Sequence, residues 1–327
     1  MSEVGVTRES SSGNASSAID RPSGRRRGDR VVGAARVTQE SVDQAMAVAR
    51  SDRPLLITGA PGTGKVHLAR AVHAWGARAN GPFVVVSCTS VSPVLLGREL
   101  FGCSEGAHPK LAEEYPGALA RAAGGTVLVQ SVEKLPAPLR DQLVKAITDG
   151  RYAREGDGAG VSLRARVIAT APETLNPPPF GDLPHHAIGL LPLNQRREDI
   201  LPLAAHFLRL VANELGVEPV GFTGDARNAL LGEEWSGNVR ELAERVRQAL
   251  RLAGSGAISA EALLLSSDGE EVPSFKEAKR AFETRYVRGL LRRCGGNISR
   301  AARLAKKDRK DFYDVIRRTG IDPAEFR

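Results

Sequence analysis

Seven residues, "GAPGTGK" from Gly59 to Lys65, constrain this chain more than any other stretch. They fit the pattern G-x-x-x-x-G-K, follow the apolar run "LLIT" and open a segment, 65–77, in which Leu68, Val72 and Trp75 recur at one-face helical spacing. A glycine-rich turn from strand to helix gathers backbone N–H groups and a helix N-terminus around one point. Phosphate oxygens fit there, and the lysine reaches the terminal phosphates. Gly59, Gly62, Thr63, Gly64, Lys65 and Val66 are therefore the candidate nucleotide-binding residues of this loop. The strict pattern continues with Ser or Thr to hold magnesium, and here Val66 follows. A turn that binds nothing is the alternative. With strand and helix both in place, bound ATP or ADP is the preferred expectation, with magnesium in doubt.

The rest of the chain supplies the matching architecture. "PLLITG", "FVVVSC", "GTVLVQ" and "ARVIAT" read as buried strands separated by helical segments between about 31 and 265, the alternation of an α/β domain with a parallel sheet. From "GFTGDARNALLGEEWSGNVRELAERVRQALRLAG" onward the pattern is wholly helical. The expected organisation is a disordered arm over 1–30, an α/β subdomain over 31–195, a helical lid over 196–265, a polar linker over 266–274 and a helical unit over 275–327. The arm is rich in Ser, Gly and Arg and holds too little apolar surface to offset its ordering entropy. Its run Arg25 to Arg27 is expected to be solvated rather than bound to nucleic acid. No apolar run approaches the length of a membrane span and no hydrophobic signal core opens the chain, so no membrane partner is expected and the cytoplasm is the expected location. Cys88, Cys103 and Cys294 lack Cys-x-x-Cys spacing and read as reduced thiols, not as zinc ligands.

One strand departs from what a nucleotide hydrolase needs. "GGTVLVQSVEKLP", residues 124–136, ends with Gln130 and Ser131 where such enzymes place Asp-Glu. A neutral amide brings no charge to a divalent ion, and a serine at neutral pH is no base. Glu133 lies two positions further along the turn and is not expected to stand in for either acid.

The segments "VVGAA", "GAPGTGK", "GPFVVVSC", "ELFG", "GGTVLV", "QRREDILPLA" and "WSGNVREL" together resemble the AAA+ domain of bacterial enhancer-binding proteins, the activators of sigma-54 RNA polymerase. The resemblance spans roughly residues 31–321 and implies a P-loop parallel sheet with a helical lid. It also implies that Arg240, in the motif where Ser236 replaces the family's proline, is the sensor arginine that approaches the nucleotide. The family's hydrolytic parts do not carry over. Its paired acids fall on Gln130 and Ser131, and its sensor asparagine falls on Pro172 in "VIATAP". The arginines that complete a neighbouring subunit's site fall on Gly181 and near His186 in "FGDLPHHAI". A trans arginine contributes on the order of thousands-fold to phosphoryl transfer. No catalytic residue is assigned, and the pair His185 and His186 has no third ligand to suggest a metal. In the family's sigma-contacting loop, Gly106 and Ala107 remain while His108, Pro109 and Lys110 replace the rest. Proline fixes the backbone and lysine brings charge to a tip that is apolar in the family.

Charge points to a second ligand. The chain carries a formal net charge of +8, and between Arg292 and Arg318 ten Lys or Arg stand against three Asp, an excess of seven. Within "GGNISRAARLAKKDRKDFYDVIRRTGI", Ile298, Ala301, Ala302 and Ala305 share one helical face. Asp308 is a plausible N-cap for a second helix whose Phe312, Val315 and Ile316 face inward. Two short helices with small residues at their crossing and basic residues outside read as a helix-turn-helix. The unit resembles the Fis-type DNA-binding domain that ends most enhancer-binding proteins, including the preceding helix "FKEAKRAFETRYVRGLLRRC", which in that family helps form a dimer. Arg309, Lys310 and Tyr313 are the candidates for base or phosphate contact, with Arg300, Lys306 and Lys307 set for the backbone. Asp314 occupies a position usually basic in the family.

The expected partners are double-stranded DNA and a second copy of the chain through this last unit. A larger AAA+ oligomer and association with other enhancer-binding proteins stay open. The sequence thus reads as a DNA-binding transcriptional regulator, associated with the nucleoid, whose AAA+ domain binds nucleotide without hydrolysing it. Two alternatives remain: an active sigma-54 activator ATPase and an architectural DNA-binding protein.

Overall fold

Runs of Val, Ile and Leu that are apolar on both faces can be buried only inside a sheet covered on both sides. In the computed structural model they form such a sheet. The structure describes residues 31–105, 107, 114–157, 160–174, 178–218, 220–253, 256–265, 284, 286–305 and 307–326. The expected arm 1–30 and linker 266–274 lie outside them, as do segment 275–283, Gly106, His108 to Lys110, and Lys306.

The strands are β1 (Leu55–Gly59), β2 (Phe83–Ser87), β3 (Thr126–Gln130), a small antiparallel pair β4 (Arg151–Ala153) and β5 (Gly160–Ser162), then β6 (Arg166–Ala171) and β7 (His186–Leu190). Five of them pair in parallel in the order β2-β3-β6-β1-β7. β1 therefore lies between two strands that follow it in sequence, with Leu55 opposite Ile168 on one side and His186 on the other. The chain leaves β1, β3 and β6 at the same, carboxyl edge of the sheet. That is where an open α/β sheet presents a crevice.

Period-two alternation sends Leu55 and Ile57 to one face and Leu56 to the other. On the first face, Ala45 and Ala49 of α1 (Arg36–Ala49) and Leu68 and Val72 of α2 (Lys65–Trp75) pack with Leu128, Ile168 and Ile188. On the second, α3 (Pro93–Phe101), α4 (Gly117–Arg121) and α5 (Ala137–Asp149) bring Leu96, Leu100, Phe101, Leu119 and Leu143 onto Val127, Val129 and Val167. β7, "HAIGL", is absent from the strands read in the sequence; its Ile188 and Leu190 are buried and alternate residues are exposed.

The helices that follow are α6 (Ile200–Leu215), α7 (Gly224–Gly232), α8 (Asn238–Ala253), α9 (Ala260–Leu265), α10 (286–293), α11 (Ile298–Leu304) and α12 (Arg309–Thr319). Two compact units result. One comprises residues through Gly216 together with Leu230–Glu244, and the other comprises Val217–Ala229 with Arg245–Arg327. Within the second, Thr223 N donates to Ile258 O at 3.0 Å and Ile258 N to Gly221 O at 2.9 Å. Its last three helices enclose Phe312 among Val287, Leu291, Ala301, Ala302, Val315 and Ile316. Asn297 caps α11, its side-chain oxygen accepting from Arg300 N at 3.0 Å. Asp308 stands at the N-cap position of α12 in extended backbone, yet its side chain makes no capping bond. Among the described residues no helix is long and apolar enough to cross a membrane.

Candidate functional site

The phosphate loop joins β1 to α2 and is held from outside. The carbonyl of Pro61 accepts from Asn238 Nδ2 at 3.0 Å, that of Gly62 from Arg240 N at 3.2 Å, and that of Thr63 from buried Arg196 Nη2 at 2.8 Å. With three successive carbonyls engaged this way, the loop is fixed in shape. The amides of the first turn of α2, for which no intrahelical carbonyl exists, belong to residues that line the cleft: Lys65, Val66 and His67. Such an array of N–H groups at a helix start favours an anion. Gly62 shows why glycine is needed: its φ is +78°, and a Cβ there would lie 2.1 Å from Gly237 O.

The clasp on this loop comes from "WSGNVREL" and "QRREDI". Asn238, buried and at φ +59°, also accepts from Leu193 N at 2.7 Å, and Glu241 accepts from Gly237 N at 2.8 Å. Asp199, fully buried, accepts from Ala34 N at 2.6 Å, Ala35 N at 2.7 Å and the Thr38 hydroxyl, and lies 3.5 Å from Arg196 Nη1. The segment "VVGAA" is thereby tied to the residue that grips the loop.

Above the loop lies a cleft of about 610 Å³, which brings together Gly59, Gly62, Thr63, Gly64, Lys65, Val66 and Arg240 with Gln130, Ser131, Thr170 and Pro172. Lys65 Nζ donates to Gly59 O at 2.5 Å and Ala60 O at 2.9 Å; burial lowers its pKa from the ordinary lysine value, against the pull of Glu133. Beside Gly64 opens an apolar recess of about 200 Å³, lined by Val31, Leu68, Leu190, Leu203, Phe207 and Val239 among others. A cleft with converging donors next to an apolar recess suits a ligand that is phosphate at one end and a flat ring at the other.

The chemical side of the cleft is different. Gln130 ends β3, and Ser131 turns the chain at φ +58°, its N donating to Thr170 Oγ1 at 3.1 Å. Neither group carries charge. Val66, where a magnesium-binding hydroxyl would stand, packs against the core. Those three positions do not fit magnesium. Glu133, however, lines the same cleft, which sequence position alone did not suggest. It is the only carboxylate among the described lining residues. His186 meets Ser51 Oγ at 2.9 Å, and burial together with Arg166 lowers its pKa; His185 meets Leu183 O at 2.8 Å. Among the described residues no group of three His, Cys, Asp or Glu could hold a metal ion.

The second candidate surface is convex. Along α12, Arg309, Lys310 and Tyr313 are exposed while Phe312, Val315 and Ile316 are buried, and Arg300 and Lys307 are exposed nearby in sequence. Five of the six candidate DNA contacts are thus free of the core. The sixth, Lys306, is outside the described residues.

Comparison with known proteins adds a lineage to this geometry. The sigma-54 interaction domain family matches residues 31–177, and the AAA+ ATPase lid domain family matches residues 194–279. The transcriptional regulatory protein GlrR of Escherichia coli (strain K12) is 31% identical over 297 residues, covering 88% of this chain and 67% of GlrR. The nitrogen assimilation regulatory protein NtrX of Azorhizobium caulinodans is 30% identical over 317 residues, covering 89% of this chain and 69% of that one. NtrX from Brucella abortus has been crystallised in complex with ADP and with ATP. These structures match at TM-scores of 0.65 and 0.64 and 27% identity, covering 89% of this chain and 70% and 69% of theirs.

Proposed function

The chain belongs to the family of sigma-54-dependent transcriptional regulators, and from that premise we propose that it regulates transcription by occupying DNA, with an AAA+ core that binds ATP or ADP but does not hydrolyse it. The observation that carries this reading is the contrast within one cleft. The phosphate cradle is complete from Gly59 to Lys65 and Arg240 faces it, whereas Gln130 and Ser131 stand where the hydrolytic acids belong. The NtrX complexes with ADP and ATP support nucleotide as the ligand. Binding falls to Gly59, Gly62, Thr63, Gly64, Lys65, Val66 and Arg240, with the base in the recess beside Gly64.

DNA binding is assigned to Arg300, Lys306, Lys307, Arg309, Lys310 and Tyr313, in a dimer formed through the last helical unit. The protein works in the cytoplasm at the nucleoid. Substitution of the sigma-contacting tip by His108, Pro109 and Lys110 supports action by occupancy rather than by remodelling sigma-54 polymerase.

An active ATPase is the second reading, favoured by the presence of Glu133 in the cleft. Steady-state phosphate release by the full chain separates the two. We expect release at background, unchanged by Lys65→Ala, together with loss of nucleotide binding in that variant. Loss of two acids removes several orders of magnitude of rate. Turnover that Lys65→Ala abolishes would refute the proposal, as would ATP-dependent opening of a sigma-54 promoter by the purified protein.

A further inference from the structure

We propose that Glu133 is the metal-holding acid of this cleft, a relocated carboxylate that takes the divalent cation accompanying the nucleotide in place of the residues at 66, 130 and 131. The inference rests on the reading of the cleft as a nucleotide site.

Placement comes first. Ser131, in the left-handed region, reverses the chain directly after β3, and its N is tied to Thr170 Oγ1 at 3.1 Å. Lys134 N then closes on Ser131 O at 2.9 Å and Leu135 N on Val132 O at 3.0 Å, while the Val132 side chain is fully buried. The turn is anchored at both ends and in the middle. The residue it presents to the cleft is Glu133.

One oxygen of this half-buried carboxylate then lacks what an enclosed polar atom needs. Glu133 Oε2 is enclosed and has no hydrogen-bond partner. The nearby ammonium of Lys65 is bonded to the carbonyls of Gly59 and Ala60. An enclosed, unsatisfied anionic oxygen is costly unless a cation or donor arrives with the ligand. Magnesium suits this arrangement, because it commonly takes one or two carboxylates, binds phosphate oxygens and keeps several waters. Neutral groups on the same wall, Gln130, Ser131 and Thr89, can accept or donate to such waters.

A cation held this way does not restore turnover. One carboxylate engaged with the ion is unavailable as a base, and by the family resemblance the arginine positions fall on Gly181 and near His186. The same carboxylate without a cation repels phosphate. Glu133 therefore makes nucleotide binding depend on the metal, with no hydrolysis following.

The test measures ADP and ATP affinity of the full chain by calorimetry, in magnesium and in EDTA, for the native protein, Glu133→Gln and Glu133→Asp. Manganese paramagnetic resonance counts bound metal in the presence of ADP. For the native chain, magnesium should tighten binding about tenfold or more, and one manganese ion should bind with ADP. Glu133→Gln should bind ADP in EDTA about tenfold tighter, since a like charge near the phosphates is gone. It should also lose the magnesium effect and the bound manganese, whereas Glu133→Asp should keep part of both. Indifference of the native chain to magnesium would overturn the assignment, as would bound manganese that survives Glu133→Gln. Absence of nucleotide binding in every condition would overturn the nucleotide reading itself and this assignment with it.

Discussion

The cleft and the basic helix are both assigned to phosphate in the proposed function, and sites of these two kinds use opposite physics. The cleft is concave and recruits backbone amides, a half-buried lysine and Arg240, with its carbonyls tied off by Asn238, Arg240 and Arg196. The helix α12 is convex and offers exposed side chains, Arg309, Lys310, Arg317 and Arg318, above a buried stripe of Phe312, Val315 and Ile316. The first gains from fixed geometry and partial exclusion of water. The second gains from long-range attraction and release of counterions, which salt screens. On the proposed function, one surface selects a shape, and the other first collects a polyanion and then reads it.

The largest effect that sharpens this contrast is deletion of residues 275–327. Specific DNA binding should fall by about a thousandfold or more, while ADP affinity stays within about twofold. Fluorescence anisotropy on a cognate duplex and calorimetry with ADP check the two halves. Retention of specific DNA binding by the shortened chain would end the helix-turn-helix reading. Next comes salt. Between 50 and 200 mM, DNA affinity should drop on the order of a thousandfold, the loss expected for several phosphate contacts. ADP affinity should change by less than about tenfold, and equal salt slopes for both ligands would erase the distinction.

Smaller effects probe each surface separately. Gly62→Ala places a Cβ 2.1 Å from Gly237 O at φ +78° and should destabilise the fold by about 2–4 kcal/mol in urea titration. Gly64→Ala, at φ +106° with open space around it, should cost only about 1 kcal/mol of strain. Equal costs would show that the clasp does not hold the loop. On the helix, Arg309→Ala or Lys310→Ala should lose about 1–3 kcal/mol on the correct site and relax base preference there. Lys307→Ala should weaken all sequences alike and flatten the salt dependence by about one unit of slope. A uniform loss from all three variants would mean that none of them reads bases.

The two surfaces also differ in how far the sequence disclosed them. The strand, loop and helix around Gly59 to Lys65 were legible because glycine spacing, an apolar run and helical periodicity all lie within twenty residues of one another. Phe312, Val315 and Ile316 declared the inner face of α12 through their spacing. What escaped depended on the fold. β7 carries no β-branched run and opens at His186; its pairing with β1 through register, rather than propensity, makes it a strand. Glu133 lay two positions from where an acid was sought, and the left-handed turn at Ser131, a conformation no serine advertises, brings it to the cleft. "WSGNVREL" pointed to Arg240 alone, whereas Asn238 proves to be the side chain that binds Pro61 O and Leu193 N together. The Gly-Asn pair was the available signal, since asparagine tolerates positive φ at such turns.

The tied carbonyls of the phosphate loop carry one more implication, and it concerns descent rather than chemistry. Asn238 and Arg196 are buried polar side chains that need partners, and Pro61 O and Thr63 O are among the partners they have. Loop and clasp thus satisfy each other, and a mutation that reshapes the loop strands groups in the interior before it reaches any ligand. A lineage that ceased to use ATP as fuel would still be held to this loop by the need to fold. At the end of β3 only the backbone is tied in this way: the side chains of Gln130 and Ser131 are half-buried on the wall of the cleft, where exchange disturbs the interior less. Drift would then erase the motor first and leave the cradle standing.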